Sequence, residues 1–187
     1  MQMELTDKLI ECCVKEGTAD PVENFEKMTS IPDVPMHGPI HHIIVPMAII
    51  TALWNTGKDF DLEPMLRDAV ERMSPVPGAI CGNLGVCGSA IGAGASSCLI
   101  NKTSPMTQGK KWSNNIALTA EALKDISEVD GPRCCKRDSV LAIMAACRMS
   151  DETYGKHLEC SDYVCGRMRD NQTCIGKKCP FSPAHKG

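Results

Sequence analysis

Four cysteines occupy a C-terminal stretch that contains few apolar side chains, with the spacing Cys-x4-Cys-x8-Cys-x4-Cys. They are Cys160, Cys165, Cys174 and Cys179. Such a stretch cannot fold by apolar burial alone, so a cross-link or a metal must supply part of its stability. Four thiolates suit tetrahedral zinc or a [4Fe–4S] cluster, and a proline after the last cysteine is typical of ferredoxin-type runs. We expect an iron–sulfur cluster here, with zinc as the alternative.

The whole chain has twelve cysteines in 187 residues, and its N-terminus has no signal-peptide pattern. Because the cytosol keeps thiols reduced, clustered cysteines there favour metal, cluster or redox chemistry over a disulfide framework. We therefore expect a cytoplasmic protein. The net charge of −3 and the lack of a basic tract argue against nucleic-acid binding. The uncharged stretch around residues 74–100 contains too many Gly, Ser and Pro residues for a convincing membrane helix.

Apolar side chains recur at helical spacing along most of the chain before the cysteine-rich stretch. The predicted helices cover residues 4–16, 20–29, 41–55, 61–73, 84–100, 113–128 and a segment that ends near Met149. The sequence therefore predicts a mainly α fold. A compact helical domain would cover residues 1–150, and a small metal-bound, cysteine-rich module would cover residues 151–187.

Three of the helix starts are predicted from residues that commonly cap helices. Asp20 precedes Pro21, a pairing typical of a cap and a first helical position. Thr6 is the expected cap of the first helix. Asp138 or Ser139 is the expected cap of the helix that follows the GPRCCKR segment.

A second group of cysteines lies in CGNLGVC, residues 81–87. Cys81 and Cys87 flank Gly82 and Gly85, which permit a tight loop and a close approach of the backbone to a ligand. A helix that begins near Cys87 would offer free N–H groups and a positive dipole end, both of which stabilise a thiolate. The glycines are equally compatible with close helix packing. Cys98 would lie about 16 Å further along that helix and is expected in the core.

The GPRCCKR segment supplies two adjacent cysteines, Cys134 and Cys135, in a turn before a helix. The nearby Arg133, Lys136 and Arg137 add positive charge, which favours thiolates. Adjacent cysteines rarely form a disulfide with each other, because the geometry is strained. They can provide two ligands, or one ligand and one free thiol.

Cys81, Cys87 and one cysteine of the adjacent pair would give a cluster three thiolates. One iron would then remain open and could act as a Lewis acid or bind a sulfur atom. A fourth thiolate would close the cluster and indicate electron transfer or a structural role. Arg133 and Lys136 are the expected anion-binding groups, and His42 is the expected proton carrier. His37 and His41 could also carry protons or bind a metal, but the pattern supports this less strongly.

Three motifs appear in order: HGPIHHIIVP, VPGAICGNLGVCGSAIGAG and GPRCCKRDSVLA. Together they resemble an uncharacterised cysteine-rich domain family of anaerobic archaea and bacteria, over roughly residues 35–150. The resemblance implies a cytoplasmic protein of an anaerobe, whose motif residues act as a set. It brings no established activity.

Three functions follow from these patterns. The first is a cluster-dependent enzyme of anaerobic metabolism that acts on a small sulfur-containing or anionic substrate. The second is an electron-transfer or cluster-carrier protein that meets a redox partner protein. The third is a zinc-binding structural or interaction module. The sequence leaves open whether the chain forms a homo-oligomer.

Overall fold

The computed structural model describes residues 2–185, and these form nine α-helices and two short 3-10 helices, without a strand. The mainly α prediction is therefore confirmed. The 3-10 helices are Met168–Asp170 and Gly176–Lys178. The α-helices are α1 (Gln2–Glu16), α2 (Pro21–Thr29), α3 (Ile40–Asn55), α4 (Leu62–Met73), α5 (Ile80–Asn83), α6 (Gly88–Ile100), α7 (Lys110–Ser127), α8 (Cys135–Arg148) and α9 (Ser150–Tyr154).

Helix α3 lies at the centre of the molecule, in contact with α1, α2, α4, α6 and α8. Every residue from Ile40 to Leu53 is buried, as the apolar run in the sequence predicts. Burial of each large aliphatic side chain stabilises the fold by about 1.5–3 kcal/mol. The core is aliphatic and methionine-rich, with few aromatic rings.

Helix α6 packs closely against α3 because two of its glycines leave room for the neighbouring helix. A Cβ atom on Gly88 would lie 2.4 Å from the ring of His42, and one on Gly92 would lie 2.6 Å from the carbonyl oxygen of His42. Both distances are shorter than any allowed contact. The packing interpretation of this glycine-rich segment is thus correct, and it fixes the position of the helix start at Cys87.

Two predicted caps differ from the structure. Asp20 does cap α2, since its side chain accepts hydrogen bonds from the N–H groups of Val22 and Glu23. Thr6, by contrast, is a buried residue inside α1, which already begins at Gln2. The first helix therefore does not start at Thr6.

Helix α8 also begins earlier than predicted. Its N-cap residue is Cys134, so that Asp138 and Ser139 are buried inside the helix and do not cap it. Ser139 instead shares a 3.0 Å hydrogen bond with Ser89 of α6. This bond joins the first turn of α6 to the second turn of α8.

The described part of the segment after α9, residues 155–185, has no α-helix and packs on the helical body. Tyr163 is buried between Phe25 of α2 and Phe181, with ring centroids 6.4 and 5.2 Å apart and edge-to-face geometry. A backbone hydrogen bond joins Cys165 to Phe181. This segment thus contributes aromatic side chains to the core that it shares with the helices. None of the helices within residues 2–185 combines the length and apolar character needed to cross a membrane.

Candidate functional site

The two cysteine-rich regions of the sequence meet at the N-terminus of α8. Cys134, from the helix cap, borders the same narrow cavity as Cys165, Cys174 and Cys179, from the C-terminal segment. The cavity measures about 20 Å³ and its exposed lining is almost wholly apolar. Three of the predicted C-terminal ligands are therefore brought together, and the fourth cysteine beside them comes from another part of the chain.

Cys160, the remaining member of the predicted quartet, lies elsewhere. It forms a disulfide with Cys147 near the C-terminal end of α8, with an S–S distance of 2.11 Å. A sulfur atom in a disulfide is not a thiolate and cannot bind a metal as one. The predicted grouping is therefore corrected at this position, where Cys134 takes the place of Cys160.

A chain of hydrogen bonds fixes the position of Cys134. The N–H of Cys135 donates to Nδ1 of His37 at 3.5 Å, and Nε2 of His37 lies 3.1 Å from Oδ1 of Asn171. The amide nitrogen of Asn171 then donates to Sγ of Cys134 at 3.7 Å. The buried Asn171 thereby links the C-terminal segment to the start of α8. No sequence signal marked Asn171, because an asparagine in a polar loop is ordinary.

Positive charge surrounds the four thiols. Lys136 is only 2% exposed, and its Nζ atom lies 3.4 Å from the carbonyl oxygen of Thr29 and 5.9 Å from the ring centroid of Phe25. Neither contact is an anion, and burial lowers the pKa of Lys136 to about 8. A buried ammonium group without a counter-ion is costly. Thiolates at Cys134 and Cys165 would supply negative charge close to it, since both act to raise its pKa.

Two arginines complete this positive environment. Arg137 and Arg167 border the cavity beside the thiols. The Nε atom of Arg137 is paired with the buried Asp138 at 3.0 Å, and Arg167 is paired with Asp170 at 2.5 Å. Their positive charge is therefore partly neutralised, whereas Lys136 forms no ion pair within the described residues, and Asp170 raises its pKa only as the smallest of the causes that act on it.

Burial raises the pKa of Cys134 and of Cys179, although N–H groups and the Arg137 charge partly offset this for Cys134. These thiols are therefore neutral near pH 7, and a metal that bound them would have to displace their protons. In the described part of the chain, no three His, Cys, Asp or Glu side chains are grouped closely enough to hold a single metal ion. In a zinc site the sulfurs lie about 3.8 Å apart, because each Zn–S bond is about 2.3 Å. An iron–sulfur cube binds each thiolate through a different iron and holds them further apart.

The cysteines and glycines of the predicted central site do not lie together in the structure. Cys81 and Gly82 border a second, more open cleft together with Arg133, Arg137 and Asp138. Arg137 therefore separates this cleft from the cavity of the four thiols, because its side chain borders both.

The other predicted residues of the central group lie outside the four-thiol cavity. Cys87 caps α6 as predicted, and burial raises its pKa. Gly85 adopts the left-handed conformation, with φ of 69°, in the loop before it. Cys135 points to Arg133, whose guanidinium lies 3.5 Å from its sulfur. The structure thus does not gather Cys81, Cys87 and Cys135 around one cavity.

His42 and His41 are buried at the start of α3. Burial lowers the pKa of both, that of His41 to about 3, and one ring nitrogen of each has no hydrogen-bond partner within the described residues. The ring of His42 packs on the backbone of Gly88 and borders neither of the two cavities. The predicted role of His42 as a proton carrier gains no support from this position.

The fold and the site define an all-helical, cysteine-rich protein with a four-thiol cavity. The chain belongs to the Family of unknown function (DUF5714), whose model matches residues 9–182. The resemblance to an uncharacterised cysteine-rich family is therefore confirmed, and the match also includes the C-terminal cysteines. No curated protein and no solved structure is significantly similar to the chain.

Proposed function

We propose that this protein holds an iron–sulfur cluster on Cys134, Cys165, Cys174 and Cys179 and transfers electrons through it. The observation that carries the proposal is the shared cavity of these four thiols. Thiolates are the ligands that an iron–sulfur cluster prefers, and the four residues supply the number that a [4Fe–4S] cluster needs.

The buried charge of Lys136 favours the same proposal. A [4Fe–4S] cluster with four thiolates carries a negative net charge in its common states, so it would provide a close counter-ion for Lys136, on which Asp170 acts only weakly. The neighbouring Arg137 and Arg167 would stabilise the same charge. Charge and hydrogen bonding near the sulfurs set the reduction potential of such clusters.

The cavity would have to widen to admit a cluster, because 20 Å³ is little more than the space of one water molecule. One wall of the cavity is formed by residues from Arg167 to Ser182, and within these residues the two single-turn 3-10 helices are the only regular elements. This wall can therefore move outward without breaking an α-helix or a sheet.

Electron transfer is favoured over catalysis at an open iron because four thiols are present. A fourth thiolate closes the coordination of a cube and leaves no iron free for a substrate. When bound, the cluster would supply a one-electron redox centre. The chain's own residues would hold it, neutralise its charge and limit the access of water.

A second candidate is the cluster-dependent enzyme that acts on a small anionic or sulfur-containing substrate. The cleft formed by Cys81, Arg133 and Arg137 favours it, because guanidinium groups bind anions and a thiol lies beside them. Arg137 would connect such a cleft to the four-thiol cavity. In this case only three of the four thiols would hold the cluster.

Anaerobic purification followed by iron, sulfide and zinc analysis tests the proposal. We expect about four irons and four sulfides per chain, with an anaerobic visible absorption that dithionite bleaches. Cys165→Ser and Cys134→Ser should each remove most of the iron. Cys160→Ser and Cys12→Ser are matched controls that should retain it, and far-UV circular dichroism verifies that every variant is helical.

Three outcomes would contradict the proposal. A colourless protein with about one zinc per chain would favour the zinc module. Iron that survives Cys134→Ser but is lost from Cys81→Ser would place the cluster at the glycine loop. Loss of iron from Cys160→Ser but not from Cys147→Ser, which removes the same disulfide, would restore the quartet predicted from the spacing.

A further inference from the structure

We infer that the surface around Cys174 is the docking site for an acidic one-electron carrier protein. The inference rests on the proposed function, because a redox centre needs a partner to exchange electrons with. It identifies that partner by its charge and places it on one face of the molecule.

Cys174 marks the most accessible side of the four-thiol cavity. It is the one exposed member of the four, whereas Cys134, Cys165 and Cys179 are partly buried. The residues on either side of it, Gln172, Thr173, Lys177 and Lys178, are exposed as well. A partner that approached this face would come closer to the redox centre than from any side covered by the helical body.

The segment that carries Cys174 is basic in a protein that is acidic overall. Residues 164–185 contain four basic side chains and one acidic side chain, while the whole chain has a net charge of −3. The acidic one, Asp170, is already paired with Arg167. Arg169 and Lys177 are exposed, and neither forms an ion pair within the described residues. We define Arg169, Lys177 and Lys178 as the basic rim.

This charge distribution selects and orients a partner. An acidic protein is repelled by the net negative charge of the chain and attracted by the basic rim, so that productive collisions bring it to Cys174. The exposed Val164, 46% of whose surface is accessible, adds an apolar contact in the same segment. Lys178 also borders a cleft that contains Asp125, Glu128 and Asp130. The negative charge of these carboxylates weakens the positive potential of Lys178. Arg169 and Lys177 are therefore the residues to test.

The test measures binding of a plant-type ferredoxin, used as an acidic one-electron carrier, by isothermal titration calorimetry on the full chain. We expect the dissociation constant at an ionic strength of about 1 M to be about ten times that at about 0.01 M, or higher. The double variant Arg169→Glu/Lys177→Glu should weaken binding at low ionic strength by about tenfold or more. Cytochrome c, a basic carrier, should bind the variant better than the unchanged protein.

The matched control is Lys110→Glu/Lys111→Glu, which makes the same change in net charge at exposed positions of α7. Equal weakening by the control and the rim variant would overturn the inference, because the effect would then come from net charge alone. Absence of ferredoxin binding to the unchanged protein at low ionic strength would overturn it as well. Iron analysis of the same samples tests the proposed function separately, since calorimetry does not depend on the iron content.

Discussion

At the scale of single residues, the two buried histidines at the start of α3 show how position alters chemistry. His41 is fully buried and faces Lys136 of α8, His37 of the preceding loop and its neighbour His42. Burial is the first cause of its low pKa, and the Lys136 charge adds to the effect. His41 is therefore neutral near pH 7.

This neutrality predicts a loss of stability in acid. The pKa of His41 is about 3 in the folded protein and near 6.5 in the unfolded chain. Below about pH 6.5 the unfolded chain takes up a proton that folded His41 does not, so the free energy of unfolding falls until about pH 3. The slope should approach 1.4 kcal/mol per pH unit for this one group. Denaturant titrations between pH 7 and pH 4, compared with His41→Gln, measure it.

His42 also lowers the stability of the protein in acid, because burial lowers its pKa. The informative quantity is therefore the difference in pH slope between the unchanged protein and His41→Gln. His157→Gln is the control, because His157 is exposed and its partner Asp151 raises its pKa. The ion pair of His157 and Asp151 stabilises the protein below the pKa that His157 has in the unfolded chain. This stabilisation is lost as the pH rises through the raised pKa of His157 in the folded protein. An acid slope that is identical in the unchanged protein and in His41→Gln would contradict the prediction.

At the scale of helices, the contact between α3 and α6 depends on the absence of a side chain at Gly88. A methyl group there would lie 2.4 to 2.5 Å from three atoms of the His42 ring. His42 is only 6% exposed and cannot swing into solvent. The two helices would have to separate, although their other contacts oppose this.

Gly88→Ala should therefore lower the free energy of unfolding by about 1–3 kcal/mol, the usual cost of overpacking a core. Gly82→Ala is the control, because a Cβ at Gly82 meets nothing within 4 Å. Urea denaturation should show a lower midpoint for Gly88→Ala with little change in slope. Equal midpoints for Gly88→Ala and Gly82→Ala would show that the His42 ring moves aside without a loss of stability.

The helices could be predicted from the sequence where local chemistry determines them. The start of α2 follows from Asp20 and Pro21, which lie within one turn of each other. The start of α8 could not be predicted, because His37, which accepts its first N–H group, is 98 residues away. Likewise, Cys165, Cys174 and Cys179 are close in sequence and could be grouped, whereas Cys134 joins them only through the packing of α8.

At the scale of the whole molecule, the C-terminal segment is fastened to both ends of α8. Cys160 is bonded to Cys147 near the C-terminal end, and Asn171 contacts Cys134 at the N-terminal end. Between these points, the aromatic contacts of Tyr163 hold the segment on α2 and close the core. The stability of the candidate site is thus tied to that of the helical body.

Removal of the disulfide should therefore destabilise the whole protein. Cys147 and Cys160 are 13 residues apart, and cross-links of about that length contribute about 3 kcal/mol. Cys160→Ser should lower the free energy of unfolding by about 2–4 kcal/mol in non-reducing urea titrations. The control Cys12→Ser, at a free and partly buried cysteine, should change it by less. Similar losses in both variants would mean that the cross-link contributes little.

The order of the four thiols along the chain also has a consequence for biosynthesis. Cys134 belongs to the helical body, which leaves the ribosome before the segment with Cys165, Cys174 and Cys179 and can begin to fold earlier. The four thiols are therefore not all present until Cys179 has been translated. The cluster proposed above could be assembled on them only after that point, when the helical body has already had time to fold.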